Sequence, residues 1–220
     1  MADLKWNDEP TAAALGFFDG VHLGHAKVIR KASDQDMKTA VITFSKNPGK
    51  TESGHPVPEI TNRALKEKIL DSMSVDVVIY LDFDKVRNMS PEQFIEMLST
   101  KLNVKYISCG FNYRFGKNAA AGVRELEEIC TPKGIEICPC APVCIKGAPL
   151  SSTRIRAYVV SGDIKGASKL LGRPFAIYGE VIHGRQLGRT LGIPTLNQLL
   201  PTPQLLRHLL CHPIRHMRVF

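Results

Sequence analysis

At 220 residues, 44% hydrophobic and 23% charged, the chain has the make-up of an ordinary globular protein with core enough to need no disulfide or metal staple. No apolar run approaches the roughly 18 residues of a membrane span, and the acidic start Met-Ala-Asp-Leu-Lys-Trp-Asn-Asp-Glu-Pro has no signal-peptide pattern, so a cytoplasmic location without membrane contact is expected. The net charge of +8 is concentrated at one end: after Glu180 there are five arginines (185, 189, 207, 215 and 218) and no acid, and +8 less these five leaves +3 for the first 180 residues.

The first strand is expected from Thr11 to Phe17, and it breaks at Gly16 into Leu-Gly-Phe-Phe-Asp-Gly-Val-His-Leu-Gly-His, Leu15 to His25. An amphipathic helix follows from Gly24 to Met37, with Val28 and Ile29 inward and Lys27, Arg30 and Lys31 outward. His22 and His25 then lie within one helical turn on the same side. Gly24 lets a phosphate approach the backbone, and the unpaired amides of the first turn supply donors and partial positive charge. Two histidines at this spacing are commonly plain surface or core residues. The glycines and Asp19 upstream, at a strand-to-helix junction, favour a nucleoside triphosphate site instead.

A second strand is expected from Thr39 to Phe44, and a long breaker-rich loop from Ser45 to Glu59 follows it. Thr61 opens a helix to Ser72, and Asp76 to Leu81 is a third strand. Ser90, Pro91 and Gln93 mark a sharp helix start, with an N-cap serine, proline at the first position and glutamine reaching back; the helix runs to about Leu102. Val104 to Cys109 is a fourth strand ending in the aromatic loop Gly110 to Gly116, and a helix from Gly122 to Cys130 and a strand from Ile135 to Val143 complete the alternation. This pattern predicts an α/β fold with a parallel sheet, helices on both faces, and ligands at the carboxyl ends of the strands.

Ser151, Ser152, Thr153, Arg154, Ile155 and Arg156 place hydroxyls and guanidinium groups at a helix start suited to anions, although a plain serine cap with solvated arginines looks much the same. A short helix from Asp163 to Leu171 follows, and beyond Gly172-Arg173-Pro174 a β-like pattern opens another module. The spacing of Cys138, Cys140 and Cys144 lacks paired zinc knuckles, so buried thiols are expected rather than a metal cluster.

Four stretches together, Gly16–His25, Gly110–Gly116, Ser151–Arg156 and Gly172–Pro174 leading to Asn197, resemble the prokaryotic bifunctional riboflavin kinase and FMN adenylyltransferase family, also called FAD synthetase. The resemblance implies a Rossmann-like nucleotidyltransferase domain over residues 1–172 that converts ATP and FMN, with Mg²⁺, to FAD and pyrophosphate. It implies catalytic roles for His22, His25, Ser152, Thr153 and Arg156, and ATP contacts at Gly16, Phe17, Asp19, Gly20, Gly24 and Gly110. It further implies FMN contacts at Phe44, Asn47, Pro48, Asn112, Arg114 and Phe115, and no side-chain metal ligands in that domain. Asn47 stands where the family usually has histidine.

The resemblance extends to residues 173–197 as the start of an incomplete flavokinase-like β-barrel, in which Thr195 and Asn197 would serve ATP and Mg²⁺. Residues 198–220 match nothing further, read as an aberrant basic tail, and are expected to be disordered. Riboflavin kinase activity is therefore expected to be absent. Two alternatives remain at this level: a nucleotidyltransferase for another phosphorylated acceptor, and a basic nucleic-acid binder that uses the tail. The tail lacks the interleaved aromatics that would stack on bases.

Overall fold

The computed structural model describes residues 9–49, 54, 57–183, 192, 197–199 and 218–219. Five strands, β1 (Thr11–Leu15), β2 (Lys38–Phe44), β3 (Val77–Leu81), β4 (Val104–Gly110) and β5 (Glu136–Cys140), form one all-parallel sheet in the order β3-β2-β1-β4-β5. Every residue of β1 is buried, as expected of the central strand of a sheet covered on both faces. Its side chains alternate between two cores. Ala13 and Leu15 join Ile42, Ile95, Leu98, Ile107 and Leu126 on one face, while Ala12 and Ala14 join Ile29, Val41, Leu70 and Tyr106 on the other.

The helices connecting these strands are α1 (Leu23–Ser33), α2 (Arg63–Asp71), the short α3 (Phe83–Val86), α4 (Pro91–Leu102) and α5 (Val123–Cys130). The start of α4 follows its sequence signature. Gln93 N–H donates to Ser90 Oγ at 3.2 Å and Ser90 N–H to Gln93 Oε1 at 2.9 Å, with Pro91 at the first helical position. Helix α1 stops at Ser33 rather than Met37, because the run Ser33-Asp34-Gln35-Asp36 favours side-chain bonding to local backbone over continued helix. Helix α2 is capped by Asn62, whose Oδ1 accepts from Leu65 N–H, and not by Thr61.

The expected strand 135–143 ends at Cys140, and a small antiparallel hairpin, β6 (Cys144–Ile145) and β7 (Ala148–Pro149), follows. Helices α6 (Ser152–Val160) and α7 (Ile164–Leu171) then pack with Ile60, Phe175 and Ile177 into a third apolar cluster. Beyond it, β8 (Ala176–Ile177) pairs with β11 (Arg218–Val219), and β9 (Glu180–Ile182) with β10 (Asn197–Leu199). Of the tail expected to be disordered, Gln198, Leu199, Arg218 and Val219 sit in strands, and the rest of 200–220 lies outside the described residues.

Among the described residues no helix is long and apolar enough to cross a membrane. The five described cysteines are free. Burial pushes the Cys109 thiol up to about 12 and the Cys130 and Cys140 thiols to about 11, whereas Cys144 is exposed on the hairpin, against the expectation of buried thiols throughout.

Candidate active site

In the order β3-β2-β1-β4-β5 the connection reverses between β1 and β4, and a ligand crevice is expected just outside their carboxyl ends. Leu15 and Cys109 pair there, and Gly16 and Gly110 follow them. The crevice holds a cavity of about 450 Å³ lined by Gly16, Phe17, His22, Gly24, His25, Phe44, Pro48, Gly110, Phe111, Asn112, Tyr113, Arg114 and Ser152, among others. Against it lies a smaller cavity of about 240 Å³, which shares Phe17, Phe18, His25 and Ser152 and adds Asp19, Asn47 and Arg156. Imidazole, hydroxyl and guanidinium groups from segments about 130 residues apart therefore face common space.

The turn Gly16–Val21 is bent by force. Phe18 and Val21 take φ of +53° and +38°, the left-handed region that is uncommon for bulky residues and rarest for β-branched ones. Such strain persists where surrounding contacts over-determine it, and here they converge from several segments. Asp19, 2% exposed, accepts from the amides of Ile60 at 2.8 Å and Thr61 at 3.3 Å and pairs with the Arg156 guanidinium. Gly20 N–H donates to Thr61 Oγ1 at 3.2 Å, and Ser152 Oγ donates to the Asp19 carbonyl at 2.9 Å.

His22 is the N-cap of α1, and its Nδ1 accepts from His25 N–H at 3.1 Å, so its ring proton belongs on Nε2. The two imidazoles stack with centroids 3.6 Å apart, and Phe18 meets His25 edge-on at 5.3 Å. Burial lowers His22 to about 4, with the Arg173 charge adding to it; burial also drives His25 well below the usual histidine value, assisted by His22, Lys66 and Arg173. Both rings are neutral at pH 7, and His25 Nδ1 is buried without a hydrogen-bond partner. Asp19 is raised by burial against the opposing pull of Arg156, the Thr61 and Ile60 amides and Lys66.

Several expected contacts fall elsewhere. Phe115 is buried in the core, stacked on Tyr113 and tilted toward Phe94, because the backbone bridge from Phe115 to Ala121 turns it inward; Phe111, 51% exposed, lines the cavity instead. Gly20 lines neither cavity, since its N–H and C=O are both taken by side chains. Thr153 is exposed and also outside both cavities. Thr195 lies outside the described residues, and of Asn197 only the strand position is described.

Sequence reasoning missed Lys66 altogether. It is 2% exposed, donates to the Phe17 carbonyl at 3.1 Å, and lies 4.3 Å from the Phe17 ring centroid. Its one visible signal was a lysine on the apolar side of a helical pattern.

A family model described as FAD synthetase matches residues 4–154, and one described as riboflavin kinase matches residues 171–209. The bifunctional riboflavin kinase/FMN adenylyltransferase of Haemophilus influenzae is 37% identical over 194 residues, 84% of this chain and 63% of that protein. The protein of the same description from Buchnera aphidicola subsp. Schizaphis graminum is 34% identical over 203 residues, 89% of this chain and 65% of the relative. A crystal structure from Streptococcus pneumoniae, described as a macrolide-efflux protein, superposes with a TM-score of 0.74 at 29% identity and covers 89% of this chain and 66% of its own. The chain thus spans just under two thirds of the length of these relatives. With the first model covering most of its length, the chain belongs to the FAD synthetase family.

Proposed function

We propose that the chain transfers an adenylyl group from ATP to FMN, giving FAD and pyrophosphate. The observation that carries the reading is a pair of adjoining cavities, one joining His25 to Ser152 and Arg156 of α6 and the other joining the stacked His22–His25 pair to Ser152, in a chain of this family. In the reaction an FMN phosphate oxygen bonds to the α-phosphorus of ATP as the α–β bridging oxygen leaves with pyrophosphate. The protein forms no covalent bond, so its contribution is positioning and stabilisation of developing charge.

The smaller cavity, where His25, Ser152 and Arg156 come together, suits the phosphates. His25 donates from a neutral ring, Ser152 Oγ turns from the Asp19 carbonyl to a phosphate oxygen, and Arg156 supplies a planar guanidinium. The larger cavity, with Phe44, Phe111, Tyr113 and Pro48, offers faces and edges for the flavin and adenine rings; Asn112 and Arg114 supply polar contacts, with Asn47 in the adjoining smaller cavity, and Gly16, Phe17, Gly24 and Gly110 close backbone approach.

Mg²⁺ would arrive with the triphosphate and neutralise part of its charge. The described residues offer it no cage: Asp19, the carboxylate lining these cavities, is already held by Arg156 and two amides, and no group of three or more ligating side chains occurs among them. The free described thiols accord with a reducing cytoplasm.

The test is to incubate the protein with ATP labelled at the α-phosphate and either FMN or another phosphorylated acceptor such as phosphopantetheine. Label entering FAD supports the reading. Label entering only the other acceptor replaces it.

A further inference from the structure

The strained turn has one more support, and it comes from 152 residues further along the chain. Arg173, between α7 and β8, directs its guanidinium at the carbonyls of Val21 at 2.7 Å and of Gly20, and at Leu171 at 3.4 Å. Among the described residues it has no carboxylate partner, and burial lowers it to about 10. A guanidinium taken out of water against carbonyls alone is costly unless their geometry is good.

The residue before it is fitted to the same place. Gly172 ends α7 at φ +71°, and a Cβ there would meet Leu23 Cδ2 at 2.4 Å, so the last turn of α7 rests directly on the first residue of α1. Further on, the Tyr178 carbonyl accepts from Asn62 Nδ2 at 2.6 Å, which ties the same segment to the cap of α2 beside Thr61. Three successive contacts thus fasten residues 172–178 to the two elements that frame the Asp19–His22 turn.

We propose that Arg173 is a positioning residue for the adenylyl-transfer site: by holding the Gly20 and Val21 carbonyls it maintains the left-handed bend at Val21 that presents His22 and His25 to the nucleotide. The segment where the riboflavin kinase match begins is then part of the nucleotide site's own scaffold. This rests on the reading of the site as a nucleotide site, but its structural half can be tested without nucleotide. The charged and titratable groups facing the turn are Asp19 and His22 upon it, His25 of α1, Glu59 of the preceding loop, Lys66 of α2 and Arg156 of α6. None of these reaches the Val21 carbonyl in place of Arg173.

The experiment uses the full chain as Arg173→Lys and Arg173→Ala, with the ring titration of His22 followed by NMR and binding of a non-hydrolysable ATP analogue by calorimetry. Lysine can reach one carbonyl where arginine holds two. The expected result is that folded R173K titrates His22 at higher pH than the wild type and binds the analogue about tenfold more weakly, with a larger loss in R173A. A folded variant of either kind with His22 titrating as in the wild type overturns the proposal. Loss of the whole fold in both variants also overturns it, because Arg173 would then serve the fold at large and not the turn. If the wild type binds no nucleotide, the adenylyl-transfer reading fails, and the His22 titration still decides the role of Arg173.

Discussion

Acid should unfold this protein partly through His22, and the size of the effect follows from its burial. The ring is 4% exposed and its folded pKa is lowered from 6.5 to about 4, so the unfolded chain binds the proton more readily than the folded one. The stabilising contribution is complete above about pH 6.5 and is lost as pH falls toward about 4, amounting to about 3 kcal/mol across that window at 1.36 kcal/mol per pKa unit. Asp19 and Glu59 are shifted the other way by burial, and their protonation offsets part of the loss in the whole protein. The His22→Asn variant isolates the histidine, since asparagine is a favoured N-cap that can still accept from His25 N–H without titrating. Urea unfolding followed by circular dichroism at about pH 7.5 and about pH 4 gives the comparison. Wild type should lose about 3 kcal/mol more than H22N between the two pH values. Equal losses would refute the assignment of a buried, neutral His22.

Gly172→Ala should destabilise by about 1–3 kcal/mol in urea, since it combines an unfavourable positive φ with a Cβ 2.4 Å from Leu23. Ser152→Ala should lower kcat for FAD formation by about 10²- to 10³-fold, and because Ser152 Oγ also donates to the Asp19 carbonyl it should cost about 1 kcal/mol in urea unfolding. Phe111→Ala removes a half-exposed ring and should change stability by no more than about 0.5 kcal/mol while raising KM for FMN more than KM for ATP in steady-state assays.

What could be read from the sequence was what local chemistry decides. The Ser90-Pro91-Gln93 start of α4 forms as written because each partner lies within three residues, and the alternation of apolar runs with helical patterns was enough to predict a parallel sheet, though not its strand order or switch point. His22 and His25 meet because they stand three positions apart at a helix start. Phe111 and Phe115 were exchanged because both sit in one aromatic loop, and the inward one is chosen by a bridge to Ala121 that no periodicity announces. Lys66 was not singled out, and Arg173 was read only as part of the Gly172-Arg173-Pro174 motif, for a different reason. Each acts on backbone carbonyls, 49 and 152 residues away, and a carbonyl leaves no trace in the identity of the residue that carries it.

The central claim is that one triphosphate is held between the imidazole pair and the α6 groups. A crystal structure of the protein with a non-hydrolysable ATP analogue tests it most directly. The account predicts phosphate oxygens within hydrogen-bond reach of His25 on one side and of Ser152 and Arg156 on the other. A nucleotide bound outside this crevice, or one touching the histidines with its phosphates turned away from α6, would contradict it.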